Sequence, residues 1–146
     1  MATASTTVEK EMIMALNGAI VKTGATAMTP TGGADMTLSP DSVQVPGGIH
    51  LSVAADTDYR TRRNMTIKAK NPTLTGGVTY SKDKKTVTFV APKILTTGET
   101  VFNLIRIERE VHPASTAAEA LELNMIGAQI LSDSDFASFF SGGSLA

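Results

Sequence analysis

Three pairs of acids stand two residues apart, Asp56 with Asp58, Glu108 with Glu110 and Asp133 with Asp135. Such pairs can flank a scissile bond, and on a strand that spacing puts both carboxylates on one face. Nothing else that hydrolysis needs accompanies any of them. The two histidines, His50 and His112, lack the spacing of metal ligands, and neither has a Ser or Cys set to act with it. Cysteine is absent, which excludes a disulfide framework, a thiolate nucleophile and a cysteine-bound metal. Gly32-Gly33, Gly47-Gly48, Gly76-Gly77 and Gly142-Gly143 are turn doublets outside any phosphate-loop context. These residues point away from an enzyme and from a cofactor or metal.

What remains is charge. The 146 residues carry a formal net charge of −1, which alone gives no reason to expect a polyanion. The distribution says more. Between Arg60 and Lys93 there are nine Lys or Arg against one acid, Asp83, while from Ala114 onward there are four acids (Glu119, Glu122, Asp133, Asp135) and no base. The basic stretch is either a solvated edge or a surface for a polyanion.

The elements that hold those cations read as strands. From Met65 to Lys70 the apolar Met65, Ile67 and Ala69 alternate with Thr66, Lys68 and Lys70, the period of two that sends successive side chains to opposite faces. Val87, Phe89 and Ala91 alternate with Thr86, Thr88 and Val90, and Ile105 and Ile107 with Arg106 and Glu108 inside Val101 to Val111. The stretch from Arg60 to His112 therefore predicts a sheet with a greasy face and a wet, largely cationic one. Ile49, Leu51 and Val53, alternating with His50 and Ser52, predict a further strand with His50 on the polar face. Asn71-Pro72 ends the first of the three main strands and Pro92 is expected to close the second, because proline offers no N–H to a ladder. Val78 to Tyr80 reads as a minor strand between two turns.

Upstream, residues 1–11 are small, polar and aperiodic and read as a loose arm. Met12 to Leu16 and Ala19 to Val21 bracket Asn17-Gly18, a pair suited to a hairpin turn, with a bulged or interrupted strand the equal alternative, and Met36 to Leu38 is a short strand before Ser39-Pro40-Asp41. Downstream of His112-Pro113 the period changes. Thr116-Ala117-Ala118-Glu119 is a capping-box pattern, and Ala117 to about Leu131 favours a helix of roughly 22 Å. At about 100° per residue, Leu121, Leu123, Met125, Ile126, Ile130 and Leu131 spread around most of its circumference and leave Glu119, Glu122 and Gln129 as a narrow polar strip. A helix apolar nearly all round is buried on more than one side. One small sheet covers one side, so a second copy of the chain is the expected source of the other. Ser132-Asp133-Ser134-Asp135 breaks the helix and caps a short second one with Phe136, Phe139 and Phe140, which Gly142-Gly143 ends.

The length fits one α+β domain spanning 1–146, with an arm at 1–11, a hairpin at 12–45, a sheet at 46–113 and helices at 114–146. No apolar run of about 18 residues is present to span a bilayer, and Met1 to Lys10 lacks the basic start and apolar core of a signal peptide. Production in a cytoplasm is the default expectation. An alternative, a soluble β-rich binding module of the adhesin or sandwich kind, requires a second sheet after residue 113.

The order of elements, an N-terminal β-hairpin, an antiparallel sheet and two C-terminal helices, resembles the coat proteins of single-stranded RNA bacteriophages, the levivirus-like group. Locally, Lys68-Ala69-Lys70-Asn71-Pro72-Thr73 is similar to the strand-ending segment of that family, and Val87 to Lys93, closing in Val90-Ala91-Pro92-Lys93, to the adjacent strand. Tyr59 to Lys93 and Thr100 to Pro113 match best, and the resemblance covers most of the chain from Gly47 onward.

The resemblance implies a non-enzymatic structural protein. Two five-stranded sheets would join edge to edge in an interlocked dimer with one ten-stranded sheet, each protomer's helices lying across the partner's sheet. Leu121, Leu123, Met125, Ile126, Ile130, Phe136, Phe139 and Phe140 are then the dimer interface. Dimers made in the bacterial cytoplasm would close into the icosahedral shell of a virion, the open sheet face toward the genome and the Lys93 to Val101 loop at symmetry axes, its conformation differing between copies. The implied partners are the chain itself, single-stranded genomic RNA or an RNA stem-loop whose binding represses replicase translation, and a maturation protein in the virion, with no membrane. Carried over onto this sequence, the RNA-binding residues are Arg62, Asn64, Thr66, Lys68, Lys70, Lys84, Thr86, Thr88, Arg106 and Glu108, which alternation also assigns to the polar face. Lys and Arg would neutralise phosphates while Asn and Thr read exposed bases. No aromatic residue is clearly set on that face, Tyr59 and Tyr80 falling at strand edges.

Overall fold

The computed structural model describes residues 16, 18–24, 31–77 and 79–143. The expected arm at 1–11 and the expected strand from Met12 to Ala15 lie outside the described residues. Two compact units form, one of residues 31–115 and one joining the chain up to Pro30 with the chain from Thr116.

In the first unit the alternating segments become strands β1 (Leu38–Pro40), β2 (Gly48–Val53), β3 (Asn64–Lys70), β4 (Leu74–Thr75), β5 (Thr79–Tyr80), β6 (Asp83–Ile94) and β7 (Thr100–Val111). Five of them make one antiparallel sheet in the order β1-β2-β3-β6-β7, and β4 with β5 makes a separate two-stranded hairpin. The short strand that the sequence groups with the N-terminal hairpin is therefore an edge of the main sheet, paired from Leu38↔Val53 to Pro40↔Leu51.

Pro92 does not close β6, which runs on to Ile94. The ladder to β3 stops at Asn64↔Val90, so beyond Val90 the strand has β7 as its one neighbour and a residue without an N–H is tolerated. The loop expected from Lys93 to Val101 is correspondingly shorter. Ile94 still pairs with Thr100, leaving Leu95 to Glu99 as the connection. It is closed by Leu95 N–H donating to the Glu99 carbonyl at 2.8 Å and Gly98 N–H to the Leu95 carbonyl at 2.9 Å. Gly98 supplies the left-handed φ of 88° that this turn requires.

In the second unit Thr116 caps α1 (Ala117–Ser132), its Oγ1 accepting from Glu119 N–H at 3.2 Å. Asp133 then accepts from Asp135 N–H at 2.9 Å, opening a 3₁₀ turn (Ser134–Phe136) that leads into α2 (Ala137–Gly142). Gly143 ends α2 in the left-handed region, at φ 70°. No strand forms at Ala19 to Val21, where the hairpin was expected. The backbone there is held by side chains instead. Gln129 accepts from Lys22 N–H at 2.7 Å and donates to the Lys22 carbonyl at 3.0 Å, and Asp135 accepts from Ile20 N–H at 3.1 Å. Gln129, assigned by its spacing to the narrow polar strip of the helix, is only 7% exposed because its amide bonds the Lys22 backbone. Among the described residues helices, not a second sheet, follow residue 113, which removes the basis for the sandwich alternative.

Among the described residues little apolar surface is buried within the chain. Among the described residues Val53 is the one fully buried apolar side chain, at 1% exposure. Of the candidate interface residues, Leu121, Leu123, Ile130, Phe139 and Phe140 are exposed, and Met125, Ile126 and Phe136 are half-buried. Phe139 and Phe140 meet edge to face, with ring centroids 5.3 Å apart.

The doublet Gly47-Gly48 does two jobs. Gly47 turns the chain at φ 71°. Gly48 begins β2 so close to β3 that a Cβ there would land on the Ile67 carbonyl oxygen. Gly48→Ala is therefore expected to lower stability by about 1–3 kcal/mol, since the backbone must move to admit the methyl group. Urea denaturation at fixed protein concentration checks this, and an unchanged midpoint would mean that β2 can retreat from Ile67 without cost.

Candidate nucleic-acid interface

Partners in an antiparallel ladder share a face, so the register sorts the side chains. One face carries the row Gly48, Lys68, Thr86, Glu108, the row His50, Thr66, Thr88, Arg106, and the row Lys70, Lys84, Glu110. The other carries Ile49, Ile67, Val87, Ile107 and, next to it, Leu51, Met65, Phe89, Ile105. The polar face is hollowed by a concavity of about 700 Å³, rimmed by Pro46 and Gly47. Eight of the ten expected residues line it: Thr66, Lys68 and Lys70 from β3, Lys84, Thr86 and Thr88 from β6, and Arg106 and Glu108 from β7.

Four cations and one carboxylate give this hollow a formal charge of +3. The carboxylate is engaged. Glu108 Oε1 lies 2.7 Å from Lys84 Nζ, and that hydrogen bond, with the accompanying attraction, raises the Lys84 pKa above its usual range. Both side chains are well exposed, so the pair is weak and exchangeable. Among the described residues no ion pair holds Lys68, Lys70 or Arg106. The surface combines point charges for phosphate with hydroxyls that both donate and accept.

Arg62 and Asn64 stand outside the hollow. Arg62 donates from Nε to the Asp56 carbonyl at 2.8 Å, with its guanidinium 4.5 Å from the centroid of the Tyr59 ring. Asn64 lies in the row of Ser52, Val90 and Leu104, and its amide is 3.5 Å from the Arg62 carbonyl. This end of the polar face is apolar, not cationic: Val90, Pro92, Phe102 and Leu104 share the parity of Arg106. Phe102, 64% exposed, is an aromatic residue on the face where none was expected. Its parity within Val101 to Val111 was the available signal. Conversely, the greasy face ends in charge, with Ala69, Lys85 and Arg109 in one row and Lys85 2.5 Å from Asp83.

Two of the acid pairs, Asp56 with Asp58 and Asp133 with Asp135, and both histidines have structural partners. Asp58 receives the backbone and side-chain hydrogen bonds of Arg60, which lower its pKa, and Asp133 and Asp135 serve the helix ends and Ile20. His50 Nδ1 is 2.6 Å from Asp41 Oδ2. Burial raises the Asp41 pKa, but the His50 hydrogen bond and the Val43 amide outweigh it and the net shift is downward. Among the described residues no group of three metal-ligating side chains converges, and no helix is long and apolar enough to cross a membrane.

The chain matches solved virus-like particles. The chain in the virus-like particle of bacteriophage GQ-907 is 50% identical, with a TM-score of 0.84, over 88% of this chain and 98% of that one. That of Beihai levi-like virus 21 is 15% identical, with a TM-score of 0.59, over 81% of this chain and 93% of that one. That of Wenzhou levi-like virus 4 is 16% identical, with a TM-score of 0.61, over 81% of this chain and 83% of that one. The last two are likenesses of fold alone. No protein-family model matches the chain, and no curated protein does.

The connection from β2 to β3 depends on Asp56. Its Oδ2 accepts from Arg63 N–H at 3.0 Å and Nε at 2.9 Å, and its Oδ1 accepts from Nη2 at 3.0 Å. These bonds, the side-chain ones first, lower its pKa from 3.8 to about 2. A carboxylate with a depressed folded-state pKa stabilises the fold fully above its unfolded value, and that contribution fades as the pH falls toward the folded one. Asp56→Asn is thus expected to destabilise the protein at pH 7 and to lose its effect between pH 4 and pH 2. Denaturation midpoints of both proteins across that range check it, and a pH-independent difference would rule out the charge as the cause.

Proposed function

The chain belongs to the levivirus-like coat proteins of single-stranded RNA bacteriophages, and we propose that it closes as dimers into an icosahedral shell around single-stranded RNA. It is a structural protein of the virion and not an enzyme. The observation that carries the RNA part is the hollow on the polar sheet face, with its charge of +3 on a chain whose net charge is −1. Lys68, Lys70, Lys84 and Arg106 would neutralise phosphates, a sequence-independent and salt-sensitive contribution, and Thr66, Thr86 and Thr88 would meet sugar and base edges. Binding of one genomic stem-loop there would repress replicase translation, and a maturation protein would be the further partner in the virion.

What one protomer leaves open supports the dimer. β7 ends the sheet with 12 residues, and among the described residues nothing pairs with its outer edge. A long edge of unpaired N–H and C=O groups is a template for another strand. Two such edges joined about a two-fold axis would make the ten-stranded sheet. Ile105 and Ile107 on β7, the latter 48% exposed, and Leu121, Leu123, Ile130, Phe139 and Phe140 on the helices are the apolar surface that a partner would cover. In the shell the short turn from Leu95 to Glu99 would stand at the symmetry axes.

Electron microscopy of the purified recombinant protein is expected to show uniform shells holding nuclease-protected RNA, and a monodisperse monomer would overturn the reading. For the bound RNA, Lys68→Ala with Lys84→Ala should flatten the dependence of log affinity on log salt by about 1.4, at roughly 0.7 per lost phosphate contact. An unchanged slope would mean that RNA uses another face. Leu123→Asp, at a position 49% exposed in one protomer, should abolish dimers and particles because the partner cannot cover a charge. A folded, dimeric Leu123→Asp protein in light scattering would count against the interlocked helices.

A further inference from the structure

Within the hollow, Glu108 is the single acid among the lining residues, and it faces four cations. A surface made only to hold RNA backbone gains nothing from it. A phosphate approaching Lys84 meets the carboxylate that already occupies the ammonium at 2.7 Å and is repelled by it. The useful property of Glu108 is the opposite one, since an ionised carboxylate accepts hydrogen bonds at about four lone-pair positions, and the ion pair to Lys84 engages one of its oxygens. It therefore favours an RNA group that donates.

Phosphates do not donate, and a ribose hydroxyl donates once. Among the base edges, uracil offers one N–H between two acceptors, while adenine and cytosine each offer an amino group beside an acceptor nitrogen. Guanine alone offers two adjacent donors, N1–H and the N2 amino group, which match the two oxygens of a carboxylate. That edge is free only in an unpaired base. The neighbour on the same face is also suited to guanine. Arg106 lies two residues from Glu108 on β7, roughly 7 Å along the strand, and arginine is the usual donor pair for guanine O6 and N7.

We propose that Glu108 and Arg106 form a subsite for an unpaired guanine in the hollow, the carboxylate accepting from N1–H and the N2 amino group while the guanidinium donates to O6 and N7. The subsite rests on the RNA-binding reading of this face and gives it a base preference. Lys68 and Lys70, from the same hollow, hold the flanking phosphates. Glu108 thereby lowers affinity for RNA in general and raises it for RNA that presents guanine in a loop.

The test is filter binding of the protein to RNA hairpins that differ at one loop position, carrying G, A, C, U or inosine, which lacks the N2 amino group. Wild-type protein should prefer guanine about tenfold over A, C and U, with inosine between. Glu108→Gln should reduce that preference to within about twofold, bind the guanine-free hairpins more tightly and show a steeper salt dependence, because one repulsive charge is gone. Equal weakening toward every hairpin in Glu108→Gln, or wild-type indifference between guanine and inosine, would overturn the subsite. The inosine comparison uses the unaltered chain, so it decides the matter even where Glu108→Gln fails to fold. Salt-sensitive binding without guanine preference sinks the subsite alone, whereas binding that ignores Lys68→Ala with Lys84→Ala sinks the RNA-binding face as well.

Discussion

The register between β6 and β7 is the constraint on which the site depends. It runs unbroken from Asp83↔Val111 to Ile94↔Thr100. Side chains in a strand alternate with a period of two, so a slip of one residue would carry Lys84, Thr86 and Thr88 to the face of Ile105 and Ile107. Local devices hold the pairings of the sheet in place. At one end the Leu95 to Glu99 turn closes on itself through its own backbone hydrogen bonds. At the far side of the sheet, the missing side chain of Gly48 lets β2 lie against β3 with Gly48 opposite Lys68.

Among the described residues one protomer encloses little of its apolar surface. A protomer of this size would ordinarily enclose a core, yet among the described residues only Val53 is fully buried and apolar. Large apolar side chains on β7, α1 and α2 stay in contact with solvent. Covering the exposed half of one Leu or Ile contributes roughly 1 kcal/mol, and a natural fold is stable by only about 5–15 kcal/mol in total. Several such residues covered by a partner are therefore comparable with the whole stability of an ordinary domain. Where a partner covers such residues, stability becomes inseparable from protomer concentration.

Much of this was legible in the sequence where a local pattern settles the structure. Alternation located β2, β3, β6 and β7, the Thr116 pattern located the start of α1, and Gly142-Gly143 its successor's end. The same alternation brought eight polar residues into one hollow. Three features escaped for tertiary reasons. Pro92 continues β6 because its other neighbour has already ended there, a fact of pairing and not of local propensity. Gln129 is buried because the backbone of a distant segment, at Lys22, bonds its amide, which no helical wheel reveals. Arg62 leaves the polar face because Asp56 and Tyr59 in the preceding connection capture it.

Charge in the chain is segregated by unit, and this resolves the near-neutral total. Residues 31–115 hold 11 Lys or Arg against eight acids, while the remaining residues hold two against six. The sheet unit is thus net basic and the helical unit net acidic, and the −1 of the whole is a difference between them. Within the basic unit the hollow is not simply as positive as its residues allow, because Glu108 sits among its lysines. Unopposed cations would raise affinity for every RNA alike, since phosphate carries no sequence information. On the proposed RNA-binding reading discrimination matters more than affinity, and an exposed, exchangeable Lys84–Glu108 pair would temper affinity without blocking the surface to a ligand that can donate to the acid.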